Sequence, residues 1–257
     1  MFRSRRSVPV RVKATGMHCL ASVAVVLGAA ALVFGVWYPS PFQALAGGAD
    51  LFWLLITVDL IMGPILTMVV FSHTKPRLVL ARDIFVIVTL QLLALGYGLY
   101  TIYLARPVFL VFEVDRLQVV VAADVNESDL NAAAAEFQTL PRWGWRLIGV
   151  RQAKNGAEAL VSVEMALAGR DVAVRPDWWV PLGDAHLLAM RERAVAWPKL
   201  RASSVQAPQQ VDHLLQEAGL REHDVLALPL VNRHIVWTIV LRRDDASVVG
   251  YLPIDPF

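Results

Sequence analysis

The segment from Leu51 to Phe71, LFWLLITVDLIMGPILTMVVF, constrains the fold more than any other stretch of the chain. It is apolar for 21 residues except for one carboxylate, that of Asp59, and Gly63-Pro64 follows one turn later. At ~1.5 Å of rise per residue, a helix of this length matches the hydrocarbon core of a bilayer. A charged carboxylate at that depth costs on the order of 3 kcal/mol or more. We therefore expect Asp59 to be paired, hydrated or protonated.

Two more apolar runs flank this segment, and together they account for the high apolar content of the chain. The chain has 257 residues and is 56% apolar, and the excess lies before residue 106. We predict three transmembrane helices at about 17–37, 51–71 and 84–104, after a basic tail at 1–16 and before a folded domain at 106–257. Because two further spans follow the first run, that run is expected to be an uncleaved helix rather than a signal peptide.

The distribution of charge predicts the orientation of these helices. Residues 1–106 carry 9 Lys and Arg against 3 Asp and Glu, whereas residues 107–257 carry 15 against 19. The basic residues lie in the tail and in the 72–83 loop, so both are expected to be cytoplasmic, with the 38–50 loop and the C-terminal domain outside. Aromatic residues that suit a membrane interface fall on the same outer side: Trp37, Tyr38, Phe42, Trp53, Tyr100 and Tyr103.

From Arg106 onward the apolar pattern is that of a folded α+β domain. Strands are expected at 108–114, 117–123, 146–150, 225–231, 235–241 and 247–252. Helices are expected at 126–138, 157–168, 185–196 and 208–218, with Asn126 at the start of the first, Gly219 ending the last, and 198–207 as a connection. Since the strands come first and last, we predict a largely antiparallel sheet with the helices in the middle of the sequence.

Asp59 is the residue of the spans whose chemistry most needs an explanation. An intramembrane aspartyl protease requires two facing carboxylates, and the other candidate is Asp83, at the predicted cytoplasmic edge of the third span. Asp59 lies 12 residues from Phe71, or ~18 Å deeper, so the two carboxylates cannot share a proton. We expect Asp59 instead to fix helix packing or to contact a partner helix, with Gly63 allowing close approach and Pro64 bending the helix.

The rest of the sequence contains no recognisable catalytic, metal or cofactor site. Thr57, Thr67, Thr89 and Gln91 are too few polar groups for a proton relay through the membrane. The histidines of the domain are scattered rather than paired as in metal sites, and no basic face suits nucleic acid. Four tryptophans are expected either in the core or on an exposed surface that contacts a partner: Trp143, Trp145, Trp178 and Trp179.

Four motifs carry a resemblance to a known family. They are WYPSPF with GG four residues later, VDLIMGPILTMVVF, YGLYTIYLARPVFLVFEVDRLQVVVAAD and the terminal YLPIDPF. Together they resemble the type IV pilin accessory proteins, often named TfpX or TfpZ, over residues 37–257 and most specifically at 105–124. The resemblance implies a non-enzymatic factor that helps a type IV pilin accumulate, remain stable or be assembled. It also implies the inner membrane of a Gram-negative bacterium, with the C-terminal domain in the periplasm, and no cofactor.

A different interpretation is a periplasmic sensor or envelope-binding module anchored by three helices. The expected cytoplasmic part weighs against it, because a short tail and a 12-residue loop offer no output domain. A membrane enzyme lacks any acid–base or nucleophile constellation. For an accessory protein, contacts with the pilin in the bilayer and in the periplasm would reinforce each other through effective concentration. The oligomeric state and the identity of the pilin stay open.

Overall fold

The computed structural model describes residues 8–70, 75–233 and 235–257, apart from the side chains of residues 8–14 and 77. The chain divides into two compact units, Met1–Arg106 and Pro107–Phe257, which we name the helical unit and the sheet domain. The first seven residues of the predicted tail, part of the 72–83 loop and His234 lie outside the described residues.

Within residues 8–70 and 75–106, the helical unit has three long helices and one short one. They are α1 (Val8–Leu32, continued by a π-helical turn at Val33–Trp37), α2 (Phe42–Leu45), α3 (Gly48–Val70) and α4 (Arg77–Leu104). The stretches Thr15–Trp37, Gly48–Val70 and Leu78–Leu104 are long and apolar enough to cross a bilayer. The three predicted apolar helices are therefore present, and α1 starts earlier than the predicted span because residues 8–16 are helical as well.

Within residues 107–233 and 235–257, the sheet domain has seven strands and four α-helices. In chain order these are β1 (Pro107–Glu113), β2 (Arg116–Val121), β3 (Arg146–Val150), α5 (Gly156–Leu167), β4 (Trp179–Val180), α6 (Asp184–Arg193), α7 (Trp197–Ala202), α8 (Ala207–Ala218), β5 (Val225–Val231), β6 (Val236–Arg242) and β7 (Val248–Leu252). The strands form one sheet in the order β4-β3-β1-β2-β5-β6-β7. The domain is therefore α+β, as the apolar pattern indicates.

The sheet is mixed, and the prediction of a largely antiparallel sheet was wrong. Strands joined by tight turns pair antiparallel, as β1 with β2, β5 with β6, and β6 with β7. The junctions between these hairpins are parallel, since β3 pairs parallel with β1 and β5 pairs parallel with β2. Local turn signals fix hairpin direction, whereas the direction of strands brought together by long connections depends on tertiary packing.

Two helix assignments also differ from the prediction. Residues 126–138 do not form one α-helix but two 3₁₀ turns, Glu127–Ala132 and Ala135–Phe137, although Asn126 does cap the first by accepting a hydrogen bond from the Ser128 amide. Ala134 is extended (ψ 150°), which lets the chain turn Phe137 into the core. Residues 198–207 are not a plain connection, because they contain most of α7.

The core of the sheet domain has two parts, one on each half of the sheet. Phe109, Phe137 and Trp179 pack ring to ring with centroid distances of 4.8–6.3 Å around β1 and β3. On the other half, α7 and α8 cover β5 and β6 through buried aliphatic residues. The central strands β1 and β5 are buried along nearly their whole length, which leaves functional groups to the strand ends, helices and turns.

Candidate functional site

A group of polar side chains meets between the three long helices. The Gln91 amide of α4 donates to both the backbone carbonyl and the Oδ1 of Asp59 on α3, at 3.3 Å each. About two turns after Asp59 along α3, the Thr67 hydroxyl lies 3.1 Å from Nδ1 of His18 on α1. We name these four residues the polar cluster. It links the three long helices through their side chains.

Gly63 lies at the centre of the polar cluster and is buried. A Cβ built there would lie 2.2 Å from Nε2 of Gln91 and 2.8 Å from Nε2 of His18. The absence of a side chain therefore lets both polar groups reach α3. Pro64 lies inside α3 and has no backbone N–H, so the carbonyl one turn earlier loses its usual helix partner. The sequence singles out this Asp-Gly-Pro segment for helix packing or a partner contact, and that role stays a prediction.

Asp83, the other carboxylate considered for a protease pair, has different partners. Its side chain is 2.7 Å from Lys75 Nζ and 3.8 Å from an Arg82 nitrogen. The carboxylate of Asp59 instead faces the Gln91 amide. Among the residues that line the cavity beside it, Asp59 is the one carboxylate, so a two-carboxylate protease cannot be built there.

Beside the polar cluster lies a cavity of about 120 Å³ between α1 and α4. It is lined by His18, Ala21, Ser22 and Val25 of α1, Asp59 of α3, and Val88, Gln91, Leu92 and Leu95 of α4. The helices α1 and α4 each pack along α3 and have no comparable packing against each other. The cavity is thus the floor of a groove, with α3 below and α1 and α4 as its walls, which we name the α1–α4 groove.

The groove is closed at the end of α4 that leads into β1, the domain-side end. There the Tyr38 hydroxyl donates to the Ile102 carbonyl at 3.0 Å, and the Trp37 and Tyr103 rings meet edge to face at 5.2 Å. The Arg106 guanidinium stacks on the same Tyr103 ring, with its carbon 3.7 Å from the centroid. These contacts hold helices α1 and α4 together at the domain-side end and close the groove there.

The four tryptophans proposed for a partner contact fall in different environments. Trp178 and Trp179 are 4% and 2% exposed, and Trp179 donates its indole N–H to the Ala173 carbonyl at 2.9 Å. Trp145 is half-buried, whereas Trp143 is 68% exposed. Burial favours a packing role for Trp178 and Trp179, and leaves Trp143 as the large aromatic of this set that a partner can reach.

Helix α5 adds an exposed apolar surface that the sequence reasoning did not single out. None of the residues of α5 is fully buried. Four of its aliphatic side chains are exposed: Leu160, Val161, Val163 and Leu167. Arg151 links this helix to the rest of the domain. Both terminal nitrogens of Arg151 bind the Glu158 carboxylate, at 3.0 and 2.8 Å, and its guanidinium lies 4.3 Å from the Trp178 ring.

Glu113, at the end of β1, is the buried acid of the sheet domain. It is 6% exposed, and its Oε2 accepts a hydrogen bond from the Ala173 amide at 3.0 Å. Burial, and secondarily the neighbouring Asp171 carboxylate, raises the pKa of Glu113 to about 7. A proton on Glu113 relieves the repulsion between the two acids.

The sheet domain also has a polar cavity of about 600 Å³ near the ends of β2 and β5. Each arginine that lines it is paired with an aspartate: Arg116 with Asp115, Arg170 with Asp129, and Arg233 with Asp124. This pairing leaves little free positive charge for an anionic ligand. No group of three or more His, Cys, Asp or Glu residues is placed to hold a metal ion in the part of the chain that the structure describes.

Comparison with known proteins links this architecture to fimbriae. The family model of the fimbrial assembly protein FimB matches residues 6–47. Two fimbrial assembly proteins of Dichelobacter nodosus, of serogroups E1 and I, are 36% and 37% identical over 95% of this chain and 95% of their own length. The chain belongs to the fimbrial assembly protein family. A third fimbrial assembly protein, of serogroups C1 and C2, is 39% identical over 47% of the chain and 92% of its own length. No solved structure matches the chain.

For this fimbrial assembly family member, sequence reasoning found part of the polar cluster. Asp59 and Gly63 were identified as candidates, and Gln91 and Thr67 were noted as polar groups in the spans. His18 is a member of the cluster that the sequence patterns do not predict, since the histidines considered above are those of the sheet domain. The position of His18 within an apolar run is the sequence feature that predicts it, since ionisable residues in spans usually face the bundle interior.

Proposed function

We propose that this chain is a non-enzymatic inner-membrane factor that helps a cognate type IV pilin to accumulate and to be assembled. The observation that carries the proposal is the match of 95% of the chain to two fimbrial assembly proteins. A factor of this kind has to hold its client without changing it covalently. Hydrogen-bonding groups in a groove between apolar helices suit such a role.

The proposed orientation places the tail and the 72–83 loop in the cytoplasm and the sheet domain in the periplasm of a Gram-negative cell. The basic residues near the first and third spans support it. The aromatic contacts of Trp37, Tyr38 and Tyr103 at the domain-side end are typical of residues at a membrane–water interface.

The pilin is proposed to be held at two places. A pilin stored in the membrane has one apolar helix in the bilayer and a globular head outside, so a client of this shape suits a helical unit joined to a folded domain. In the sheet domain, Trp143 and its half-buried neighbour Trp145 are the proposed contact residues. Two weak contacts on one chain reinforce each other, because the first raises the effective concentration for the second.

The test is deletion of the gene in a host that makes the cognate pilin. We expect pulse-labelled pilin in the membrane fraction to decay several-fold faster, and re-expression of the whole chain to restore its lifetime. Unchanged pilin lifetime together with unchanged piliation contradicts the proposed function. A strain that lacks only residues 107–257 tests the two contacts separately, and wild-type pilin lifetime and copurification in that strain would rule out the second contact.

A further inference from the structure

We infer that the α1–α4 groove binds the membrane-spanning helix of the pilin, and that a hydrogen-bond donor on that helix pairs with the Asp59 carboxylate. This inference rests on the proposed function and adds to it the contact surface and the chemistry of the contact. Its starting point is that the polar cluster has hydrogen-bonding capacity that the helical unit does not use.

Asp59 is incompletely satisfied within the helical unit. Its Oδ1 accepts one bond from Gln91 at 3.3 Å, longer than the usual range for N–H···O bonds. Its Oδ2 accepts a hydrogen bond from no described residue. Asp59 lies eleven residues from each end of α3, at the depth where an unsatisfied carboxylate is most costly in a bilayer. A donor from outside the helical unit removes that cost.

The groove gives such a donor a route to Asp59. Val25 on one wall and Leu92 on the other are 42% and 56% exposed, so the space between the walls is not filled by the chain itself. Ala21 and Ser22 keep the α1 wall shallow, which permits close approach of another backbone.

The chemistry of the groove selects the occupant. A lipid acyl chain fills space but donates no hydrogen bond to Asp59. A single apolar helix with one donor side chain at mid-membrane depth fills the groove and satisfies the carboxylate. The pilin of the proposed function supplies one apolar helix per molecule, and it has to be released for assembly. One or two hydrogen bonds between helices are weak enough to suit a reversible contact.

The experiment is photocrosslinking in cells that make the pilin, with the photoreactive amino acid p-benzoylphenylalanine placed in the full-length chain. Val25 and Leu92 report on the groove. Leu27 and Leu90 serve as matched controls, because they are exposed on the same helices but about 200° around from Val25 and Leu92. We expect crosslinks to the membrane segment of pilin from both groove positions, at least five-fold stronger than from both controls.

Other outcomes overturn the inference in distinguishable ways. Pilin crosslinks from Leu27 or Leu90 but not from the groove would reject the groove while supporting the proposed function. Crosslinks between two copies of this chain from Val25 and Leu92 would make the groove an interface between copies. Groove positions that react with lipid only would show that no helix enters. If pilin lifetime is also unaffected by gene deletion, the proposed function fails as well.

Two variants at one position test the hydrogen bond itself. Asp59→Asn keeps an acceptor oxygen, whereas Asp59→Leu has a similar size and no acceptor. With each protein adjusted to equal abundance in the membrane, we expect the Val25 crosslink to fall at least three-fold in Asp59→Leu and to stay within two-fold of the unsubstituted chain in Asp59→Asn. Equal crosslinking in both variants rejects the role of Asp59.

Discussion

Single atoms decide how the polar cluster is built. The amide of Gln91 and the ring of His18 both approach α3 at the one position that has no Cβ, Gly63. The cluster therefore depends on a missing methyl group as much as on its polar members. A side chain at that position displaces the amide from Asp59 and leaves a carboxylate exposed to an apolar medium.

Gly63→Ala is expected to lower the stability of the full-length protein in mild detergent by about 1–3 kcal/mol, the usual cost of overpacking. The matched control is Gly96→Ala, because a Cβ at Gly96 on α4 has open space around it and alanine favours a helix over glycine. Thermal unfolding followed by tryptophan fluorescence compares the two. A Gly63→Ala protein as stable as Gly96→Ala would contradict the packing assigned to the cluster.

Glu113 gives the sheet domain a pH dependence of known sign. Its pKa is raised to about 7 in the fold, while that of an unfolded glutamate stays near its ordinary value of about 4.3. Between these values the folded state holds a proton that the unfolded state has lost. The contribution of Glu113 to stability is therefore complete at acid pH and is lost as the pH rises towards 7.

Glu113→Gln is expected to remove this dependence, since glutamine still accepts the hydrogen bond from the Ala173 amide and carries no charge. Unfolding temperatures measured from pH 4 to pH 8 should converge at pH 4, below the ordinary pKa of glutamate, and favour the variant at pH 8. The exposed Glu164→Gln serves as the control and should follow the unsubstituted protein. Parallel curves for all three proteins would mean that Glu113 is ionised in the fold.

At the scale of elements, Arg151 joins helix α5, which has no fully buried residue, to the rest of its domain. Arg151 binds the Glu158 carboxylate with two nitrogens, donates to the Asp177 carbonyl at 3.1 Å and lies over Trp178. The planar guanidinium makes all of these contacts at once, which a lysine ammonium cannot do.

Arg151→Lys is therefore expected to loosen α5, with faster amide hydrogen exchange over residues 156–167 and a lower unfolding temperature by a few degrees. Arg170→Lys is the matched control, because Arg170 makes a single exposed ion pair with Asp129. Hydrogen exchange in α5 that is unchanged in Arg151→Lys and equal to that of the control would show that the helix is held by other contacts.

Elements set by local chemistry could be predicted from the sequence, and those set by distant contacts could not. Helix α8 ends at Gly219 as expected, since Gly219 takes the left-handed conformation (φ 63°) that glycine permits. The β1–β2 hairpin and the last three strands also lie where the apolar, β-rich runs of the sequence predict them. The 126–138 segment satisfied a helix-start signal, yet burial of Phe137 against Phe109 and Trp179 imposes two 3₁₀ turns instead.

The same division explains the candidate site. Asp59 and Gly63 stand out within an apolar run, so composition alone identifies them. Their partners His18 and Gln91 are 41 residues before and 32 residues after Asp59, and no periodicity in the sequence joins those positions. Helix packing brings these residues together, and the sequence pattern does not show which helix faces pack against each other.

At the scale of the whole molecule, the orientation in the membrane is the prediction that decides where a pilin is met. In a Cys19→Ser background, which removes the one cysteine of the chain, Gln216→Cys in α8 should react with a membrane-impermeant maleimide once the outer membrane is permeabilised. Pro76→Cys, before α4, should react only after the inner membrane is lysed. The opposite labelling pattern would invert the proposed topology.

Three observations bear on the function: the fimbrial assembly relatives, the α1–α4 groove, and the Asp59 carboxylate with its one long hydrogen bond. Each of these can be tested separately, and a substitution at Asp59 tests the proposed contact with pilin in the groove. If the groove holds pilin in the membrane until assembly, then the lifetime of pilin depends on the acceptor at that one position.

The most direct measurement is the half-life of pulse-labelled pilin in cells in which Asp59→Asn or Asp59→Leu replaces the chromosomal copy and is present at wild-type abundance. We predict a pilin half-life near that of the unsubstituted strain with Asp59→Asn, and one close to that of the gene deletion with Asp59→Leu. A wild-type half-life with Asp59→Leu, in a strain background where the deletion shortens it, would contradict the account.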